Sequence, residues 1–233
     1  MIEANGVELC TEPFGDPADP PVLLIMGIGA SMLWWDEGFC GLLADGGRYV
    51  IRYDHRDVGR SISYEPGRPE YTGSDLVADA AAILDGYGIP AAHVVGVSAG
   101  GAFAQLLTLE HPERVLSLTL ISTSPAVPTD RALPAPTEAL REIGRAHDFA
   151  AARNHDLLRE GPAGEPLSAV AVPTLVIHGT ADPMFPIGHG NALADEIPNA
   201  SLLRLERAGH GVEQADWETI AGAILDHTGK GGG

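Results

Sequence analysis

The sequence predicts an α/β fold in which a mostly parallel central sheet is flanked by helices. Two observations carry this prediction: short apolar runs recur along the 233 residues, and segments with helical spacing or turn residues separate them. Parallel strands are buried on both faces, so they read as continuous apolar runs, and their crossovers are usually helices. The chain is 45% apolar and 20% charged, as expected for a globular protein, and it is long enough to bury a sizeable core.

The apolar runs predict the strands. The strongest runs cover residues 22–26, 49–53, 93–97, 116–121, 174–177 and 201–205. A further β-type run at 7–11 is expected to add an antiparallel strand at one edge of the sheet.

Helical spacing predicts the segments between the strands. The predicted helices cover residues 34–44, 74–87, 101–111, 190–196 and 213–227. In the second of these, apolar side chains recur on one face, and Ser74 is the expected N-cap.

We expect residues 1–228 to form a single domain. Residues 125–172 interrupt the strand and helix alternation, because they begin with a proline-rich stretch and continue with helical spacing over 137–158. They lie between two predicted strands, which indicates a short helical cap inserted over one edge of the sheet. Residues 229–233, Gly-Lys-Gly-Gly-Gly, predict a flexible tail.

The net charge of −18 argues against a nucleic-acid partner, and Lys230 is the only lysine. Cys10 and Cys40 give neither a disulfide framework nor metal-ligand spacing, which fits a reducing compartment. The N-terminus has no signal-peptide pattern, and no apolar stretch approaches the length of about 20 residues that spans a bilayer. We therefore expect a cytoplasmic protein with no membrane partner; the sequence does not indicate its oligomeric state.

One apolar run passes into a helical segment through residues 96–100, Gly-Val-Ser-Ala-Gly. A serine on a sharp strand-to-helix turn needs very small neighbours two residues to either side, since the two backbones pack closely there. Gly96 and Gly100 meet this need, and Ser98 is the candidate nucleophile. The same pattern is found in ordinary glycine-rich turns, so its weight depends on suitable partners elsewhere in the chain.

Two such partners follow predicted strands. A serine hydroxyl becomes a useful nucleophile when an imidazole takes its proton and a carboxylate orients the imidazole. Reactive groups in a parallel sheet gather at the C-terminal ends of the strands. Asp182 follows the strand at 174–177, and His210 follows the strand at 201–205, so we expect these residues to be the orienting acid and the base.

An acyl-transfer site also needs backbone N–H groups aimed at the developing oxyanion. We expect one donor from Ala99, at the start of the helix that follows the nucleophile. The second is expected from Ile28, in the glycine-containing loop 26–31 that follows the strand at 22–26.

These motifs resemble the α/β-hydrolase fold family, and the resemblance extends from the start of the chain to about residue 228. Residues 24–27, 52–61 and 93–98 are similar in particular to the branch that includes aclacinomycin-type methylesterases. The resemblance implies an α/β-hydrolase fold with its nucleophile, acid and base at Ser98, Asp182 and His210, in that chain order. It also implies oxyanion donors at Ile28 and Ala99, and a charged turn around residue 55 that braces the floor of the site.

Apolar side chains next to these loops are candidate substrate-binding residues. They are Met32, Leu33, Trp34, Met184 and Phe185. Trp34 and Trp35 have a competing interpretation, in which both pack into the core around the first predicted helix.

No metal or other cofactor is expected. His178, Asp182, His189 and His210 could be imagined as a ligand set, but they lack helical i, i+4 spacing and any adjacent ligand motif.

The sequence therefore predicts a cofactor-independent serine hydrolase that cleaves small carboxylic esters. Several related reactions use the same catalytic residues, so the sequence does not distinguish them: lactone opening, C–C bond hydrolysis and perhydrolysis with peroxide in place of water. A ligand receptor that keeps the fold but turns over slowly is the alternative from a different class.

Overall fold

The structure is a computed structural model that describes residues 1–65, 68–138, 140 and 165–229. Its strands are β1 (Ile2–Ala4), β2 (Val7–Leu9), β3 (Thr11–Phe14), β4 (Pro21–Ile25), β5 (Tyr49–Tyr53), β6 (Ala92–Val97), β7 (Val115–Ile121), β8 (Thr174–Gly179) and β9 (Ala200–Leu205). Its helices are α1 (Glu37–Asp45), α2 (Gly73–Gly86), α3 (Ala99–Glu110), α4 (Gly188–Glu196) and α5 (Trp217–Gly229). Each of the six strongest predicted strands is present, with bounds that differ by at most two residues.

The main sheet has seven strands within the described residues, in the order β3-β5-β4-β6-β7-β8-β9. β3 is antiparallel to β5, and the other neighbouring strands are parallel. The chain passes from β4 to β5 on one side and then to β6 on the other, so the strand order reverses between β4 and β6. In open α/β sheets, ligands bind at the carboxyl ends of the strands at such a switch point. The predicted fold class is confirmed.

Two apolar layers hold helices against the sheet, and the alternation along β4 shows how. Val22 and Leu24 belong to the cluster that includes α1 and α5 residues, whereas Leu23 and Ile25 belong to the cluster of α2 and α3. All four side chains are fully buried. Burial of a side chain of this size is worth about 1.5–3 kcal/mol, so both faces of the strand stabilise the fold.

The predicted antiparallel edge exists, but the prediction of a strand at 7–11 was wrong in its bounds. β2 pairs with β1 in a separate two-stranded sheet, and the edge strand of the main sheet is β3. Asn5 and Gly6 both have positive φ, of 49° and 76°, as the tight hairpin between β1 and β2 requires. Cys10 ends β2 because its N–H donates to Ser61 Oγ at 2.8 Å rather than to a neighbouring strand.

The expected N-cap of α2 was also wrong. Thr72, and not Ser74, caps this helix. Its side chain accepts a hydrogen bond from the Asp75 N–H at 3.4 Å, and the Asp75 carboxylate accepts one from the Thr72 N–H at 2.8 Å. This reciprocal pair is a capping box, which satisfies two backbone donors and therefore prevails over a single serine cap.

The other four helices also begin elsewhere than predicted, and α4 begins at Gly188 rather than at residue 190. α1 begins at Glu37 rather than at residue 34, because Asp36 caps it by accepting a hydrogen bond from the Gly38 N–H at 2.7 Å. The preceding residues, Met32–Trp34, form a short 3₁₀ turn. α3 begins two residues earlier than expected, at Ala99, and α5 begins at Trp217 after a second 3₁₀ turn at Gln214–Asp216.

The helical part of the predicted cap, residues 137–158, lies mostly outside the described residues. The described base of the insertion contacts α4 and the loop before it: His189 Nε2 lies 2.8 Å from the Pro134 carbonyl oxygen, and the Thr137 N–H donates to the Pro183 carbonyl at 2.8 Å. At the C-terminus, α5 continues through Gly229, the first residue of the predicted tail, and residues 230–233 lie outside the described residues. None of the helices described here has the length and apolar character needed to cross a bilayer.

Candidate active site

Ser98 lies on a strained turn between β6 and α3. Its φ and ψ are 55° and −123°, a backbone conformation that residues other than glycine rarely adopt and that costs of order 1–3 kcal/mol. Its N–H donates to the Ile121 carbonyl at 3.0 Å. A Cβ on Gly96 would lie 2.3 Å from the Gly100 carbonyl oxygen, and one on Gly100 would lie 2.2 Å from the Ile25 oxygen. The glycines at 96 and 100 are therefore required by backbone packing, as the sequence predicts.

The structure brings Ser98, His210 and Asp182 together at the carboxyl end of the sheet. His210 Nε2 lies 3.0 Å from Ser98 Oγ, and His210 Nδ1 lies 2.9 Å from Asp182 Oδ2. A carboxylate only accepts hydrogen bonds, so Nδ1 carries the ring proton, and the Nε2 lone pair is left facing the serine hydroxyl. This arrangement can remove the Ser98 proton as the oxygen attacks.

The loop after β8, residues 180–186, holds the Asp182 carboxylate in place. The Asp182 side chain is buried, and its Oδ1 accepts hydrogen bonds from the N–H groups of Met184 at 2.8 Å and Phe185 at 2.9 Å. Burial raises the pKa of Asp182, but the hydrogen bond and electrostatic attraction of the His210 ring and the two amide donors outweigh it, so the pKa lies below its usual value. Asp182 is therefore ionised and able to orient the imidazole.

Phe185 connects this loop to both the acid and the base. Its N–H binds Asp182, and its ring packs against the His210 imidazole with centroids 5.5 Å apart. Its carbonyl accepts a hydrogen bond from Nε2–H of His178, a fully buried residue of β8, at 2.6 Å. Burial lowers the pKa of His178, so the ring remains neutral and closes the loop as a hydrogen-bond donor.

The loop after β4, residues 26–31, lies against Ser98. A Cβ on Gly27 would be 3.4 Å from Ser98 Cβ, so the Gly27 backbone passes directly beside the serine. In the described part of the chain the Ile28 N–H takes no part in a backbone hydrogen bond, and the Ala99 N–H is at the first turn of α3, where such groups lack a helical partner. Both predicted oxyanion donors therefore belong to backbone that borders Ser98.

The predicted substrate-binding residues separate into two groups. Met32 is buried, whereas Leu33 and Trp34 are 63% and 70% exposed. Met184 and Phe185 are partly buried in the loop that holds the acid. The competing prediction of core packing holds for Trp35 alone, which is fully buried and stacked on Phe39 with centroids 5.6 Å apart.

The histidines considered as metal ligands have other partners. His178 donates to Phe185, as described above. The ring nitrogens of His189 lie 2.9 Å from Ser124 Oγ and 2.8 Å from the Pro134 carbonyl oxygen, so this histidine joins α4 to the base of the cap insertion.

Two residues that contact the site were not among the predicted site residues, although one of them, Asp54, belongs to the charged turn that the resemblance implies braces the floor of the site. Asp54 follows β5 and accepts hydrogen bonds from Ser31 Oγ at 2.9 Å and from the Met32 N–H at 2.7 Å, at the end of the loop beside the nucleophile. Thr123 follows β7 and donates to the Ser98 carbonyl at 2.6 Å. Their positions directly after buried strands were the available signal, because the same criterion selected Asp182 and His210.

A family model described as alpha/beta hydrolase fold matches residues 20–161, which is more than half of the chain. The chain belongs to the α/β-hydrolase family. A second model, described as TAP-like protein, matches residues 154–227 of this hydrolase.

The hydrolase is also similar to two curated methylesterases. Rhodomycin D methylesterase DauP of Streptomyces sp. (strain C5) is 33% identical to it, and rhodomycin D methylesterase DnrP of Streptomyces peucetius is 34% identical; each alignment covers 98% of this chain and 97% of the relative. The predicted resemblance to methylesterases is confirmed. Each alignment has 289 positions, and since 98% of 233 residues is about 228, about 60 positions have no residue in this hydrolase.

Among solved structures, an esterase from Exiguobacterium antarcticum superposes with a TM-score of 0.77. It is 21% identical, and the match covers 98% of both chains. At this identity the likeness supports the shared fold.

Proposed function

We propose that this hydrolase cleaves carboxylic esters with Ser98 as nucleophile, through an acyl-enzyme. The observation that carries the proposal is the continuous hydrogen-bonded series from Ser98 Oγ through His210 to the buried carboxylate of Asp182, with separations of 3.0 and 2.9 Å. Similarity to two methylesterases over nearly the whole chain supports ester hydrolysis. A methyl ester is accordingly the first substrate class to test.

In the first half of the reaction, Ser98 Oγ forms a bond to the ester carbonyl carbon while its proton moves to His210 Nε2. The electron pair of the carbonyl π bond moves to oxygen, and the N–H groups of Ile28 and Ala99 bind the resulting oxyanion. Collapse of this intermediate breaks the bond to the alcohol oxygen, which takes the proton from His210. Asp182 keeps the imidazole oriented and stabilises its charged form.

In the second half, water attacks the acyl-enzyme. His210 Nε2 takes a proton from the water as the oxygen bonds to the carbonyl carbon, and it returns this proton to Ser98 Oγ as the acid leaves. The cycle requires no metal or organic cofactor, because proton transfer and oxyanion binding are both assigned to this chain. The Ile28 and Ala99 donors would supply a large part of the rate enhancement, since loss of one such donor typically costs about 10²–10³ in kcat.

The test uses methyl and p-nitrophenyl esters of short acids with wild type, Ser98→Ala, Asp182→Asn and a fluorophosphonate probe. We expect wild type to hydrolyse the esters and to be labelled by the probe, and Ser98→Ala to lose both properties while its thermal unfolding temperature is retained. Asp182→Asn should reduce kcat by several orders of magnitude. Unchanged turnover in Ser98→Ala would refute the nucleophile, and a folded wild type that is neither labelled nor active would favour a ligand-binding role.

A further inference from the structure

The carbonyl group of Ser98 is held by a side chain from the neighbouring strand. Thr123 is the second residue after β7, it is buried, and its hydroxyl donates to Ser98 O at 2.6 Å. The Gly101 N–H donates to the same oxygen at 3.0 Å. The peptide between Ser98 and Ala99 is therefore held by two donors, Gly101 from the following helix and Thr123 from the neighbouring strand.

The surrounding backbone is shaped to admit this threonine. A Cβ on Gly101 would lie 2.6 Å from Thr123 Cγ2 and 2.8 Å from Thr123 Oγ1, so a residue with a side chain at 101 would displace the hydroxyl. Ser122, between β7 and Thr123, has a φ of 45°, and its N–H donates to the Ile177 carbonyl at 3.0 Å. The strained backbone at Ser122 and the absence of a side chain at Gly101 therefore both lie next to the hydrogen bond from Thr123 to Ser98 O.

The atoms that Thr123 holds belong to the same peptide unit as the Ala99 N–H. A trans peptide is planar, and its carbonyl and N–H point in opposite directions, so fixing one fixes the other. A hydrogen bond accepted by the carbonyl also polarises the amide and strengthens its N–H as a donor. The orientation and the strength of the Ala99 donor therefore both depend on what binds Ser98 O.

We propose that Thr123 is a positioning residue for the oxyanion hole, which acts through the Ser98–Ala99 peptide. This inference rests on the proposed function, because it assumes that the Ala99 N–H binds the oxyanion. Thr123 itself touches neither the substrate nor the reacting atoms. Its contribution is to keep one donor aimed at the position that the oxyanion occupies in the transition state, where alignment has the greatest effect on rate.

The test compares Thr123→Val, which keeps the shape and removes the hydroxyl, with Thr123→Ser, which keeps the hydroxyl. We expect Thr123→Val to lower kcat at least about tenfold with little change in KM, and Thr123→Ser to retain most of the wild-type kcat. Thr123→Ala provides a second hydroxyl-free variant if the valine variant does not fold. Thermal unfolding establishes that each variant compared is folded.

A pair of inhibitors separates positioning from a general loss of structure. A trifluoromethyl ketone forms a reversible hemiketal: Ser98 Oγ bonds to the carbonyl carbon, the carbonyl oxygen becomes the oxyanion, and His210 takes the proton. The corresponding methyl ketone, which forms little adduct, reports ground-state binding. We expect Thr123→Val to weaken inhibition by the trifluoromethyl ketone by the same factor as kcat/KM and to leave inhibition by the methyl ketone unchanged.

Two outcomes overturn the inference: wild-type kcat in both hydroxyl-free variants, or an equal loss of affinity for the two ketones. If Ser98→Ala is inactive and Thr123→Val matches wild type, the nucleophile stands and only the role of Thr123 fails. If Ser98→Ala keeps its activity, the proposed function fails first.

Discussion

His55 donates a hydrogen bond from Nε2–H to the carbonyl oxygen of Met26, 2.9 Å away. The carbonyl can only accept, so the Nε2 tautomer is set by this contact. The ring packs edge-on against Tyr53 and Phe103, and burial lowers the pKa of His55, so it remains a neutral donor. The turn after β5 is thereby tied to the first residue of the loop that carries Ile28.

Removal of this donor should loosen the loop without emptying the space that the ring occupies. We predict that His55→Phe lowers kcat/KM for a p-nitrophenyl ester by about tenfold, because an unpaired carbonyl at the loop start costs about 1–3 kcal/mol when buried. His55→Gln offers an amide N–H near the Nε2 position and should recover part of the loss. The prediction would be wrong if the two variants showed equal activity at equal unfolding temperature.

Asp54 holds the other end of the same loop. Its Oδ1 accepts from Ser31 Oγ and the Met32 N–H, and its Oδ2 accepts from the Arg60 N–H at 3.0 Å. An asparagine supplies one acceptor oxygen in place of two, so at least one of these donors would face an NH₂ group. We predict that Asp54→Asn lowers the free energy of unfolding by about 1–3 kcal/mol in urea titrations, and that Ser31→Ala costs less. Equal costs for the two substitutions would contradict this account.

The sheet and the three principal side chains were predictable from the sequence, because both depend on local patterns. Strands buried on both faces produce continuous apolar runs, and residues directly after them reach a common edge. Ser98 is predicted by the Gly-x-Ser-x-Gly turn at residues 96–100, and Asp182 and His210 are predicted by their places after buried strands. The geometry then added the distances and the proton position on His210.

Hydrogen bonds between distant segments could not be predicted in the same way. Thr123 and Asp54 act on residues 25 and 22 positions away, and nothing in the local pattern specifies those partners. Local errors had a different origin: the capping box of α2 pairs Thr72 with Asp75, whereas the familiar sequence pattern has Glu or Gln at the second position. Which of Trp34 and Trp35 packs into the core depends on which side of the 3₁₀ turn at Met32–Trp34 faces the core.

Glycines in the chain differ in whether the surrounding atoms leave space for a side chain. A Cβ on Gly100 would lie 2.2 Å from the Ile25 oxygen and 2.5 Å from the Met26 oxygen, and neither backbone group can move without displacing β4. We predict that Gly100→Ala abolishes esterase activity and sharply lowers the unfolding temperature. The matched control is Gly41→Ala in α1, where a Cβ would meet nothing within 4 Å. That substitution should stabilise the protein by about 0.4–1 kcal/mol, since alanine favours helix.

A buried histidine at the opposite end of the sheet makes stability depend on pH. His93 of β6 is buried, and its Nδ1 lies 2.8 Å from Ser117 Oγ. Burial, together with the positive charge of Arg48 and the neighbouring His227, lowers the pKa of His93 from 6.5 to about 4. As pH falls below 6.5, the unfolded chain takes up a proton at this residue while the folded protein does not. The contribution of His93 to the free energy of unfolding is therefore fully present above pH 6.5. It declines towards pH 4, by up to about 3 kcal/mol in total.

We predict that the double variant His93→Phe/Ser117→Ala flattens this decline, because it removes the titrating ring together with the hydroxyl that would otherwise lose its partner. The measurement is the free energy of unfolding in urea at a series of pH values from 7.5 to 4.5 for wild type and variant. His111→Gln serves as the control: the His111 side chain is 44% exposed, and any change that follows from the loss of a histidine in general would also be seen in this variant. If the double variant and the wild type lose stability in parallel over this range, His93 does not cause the acid sensitivity, and the carboxylates that become protonated below pH 5 must account for it.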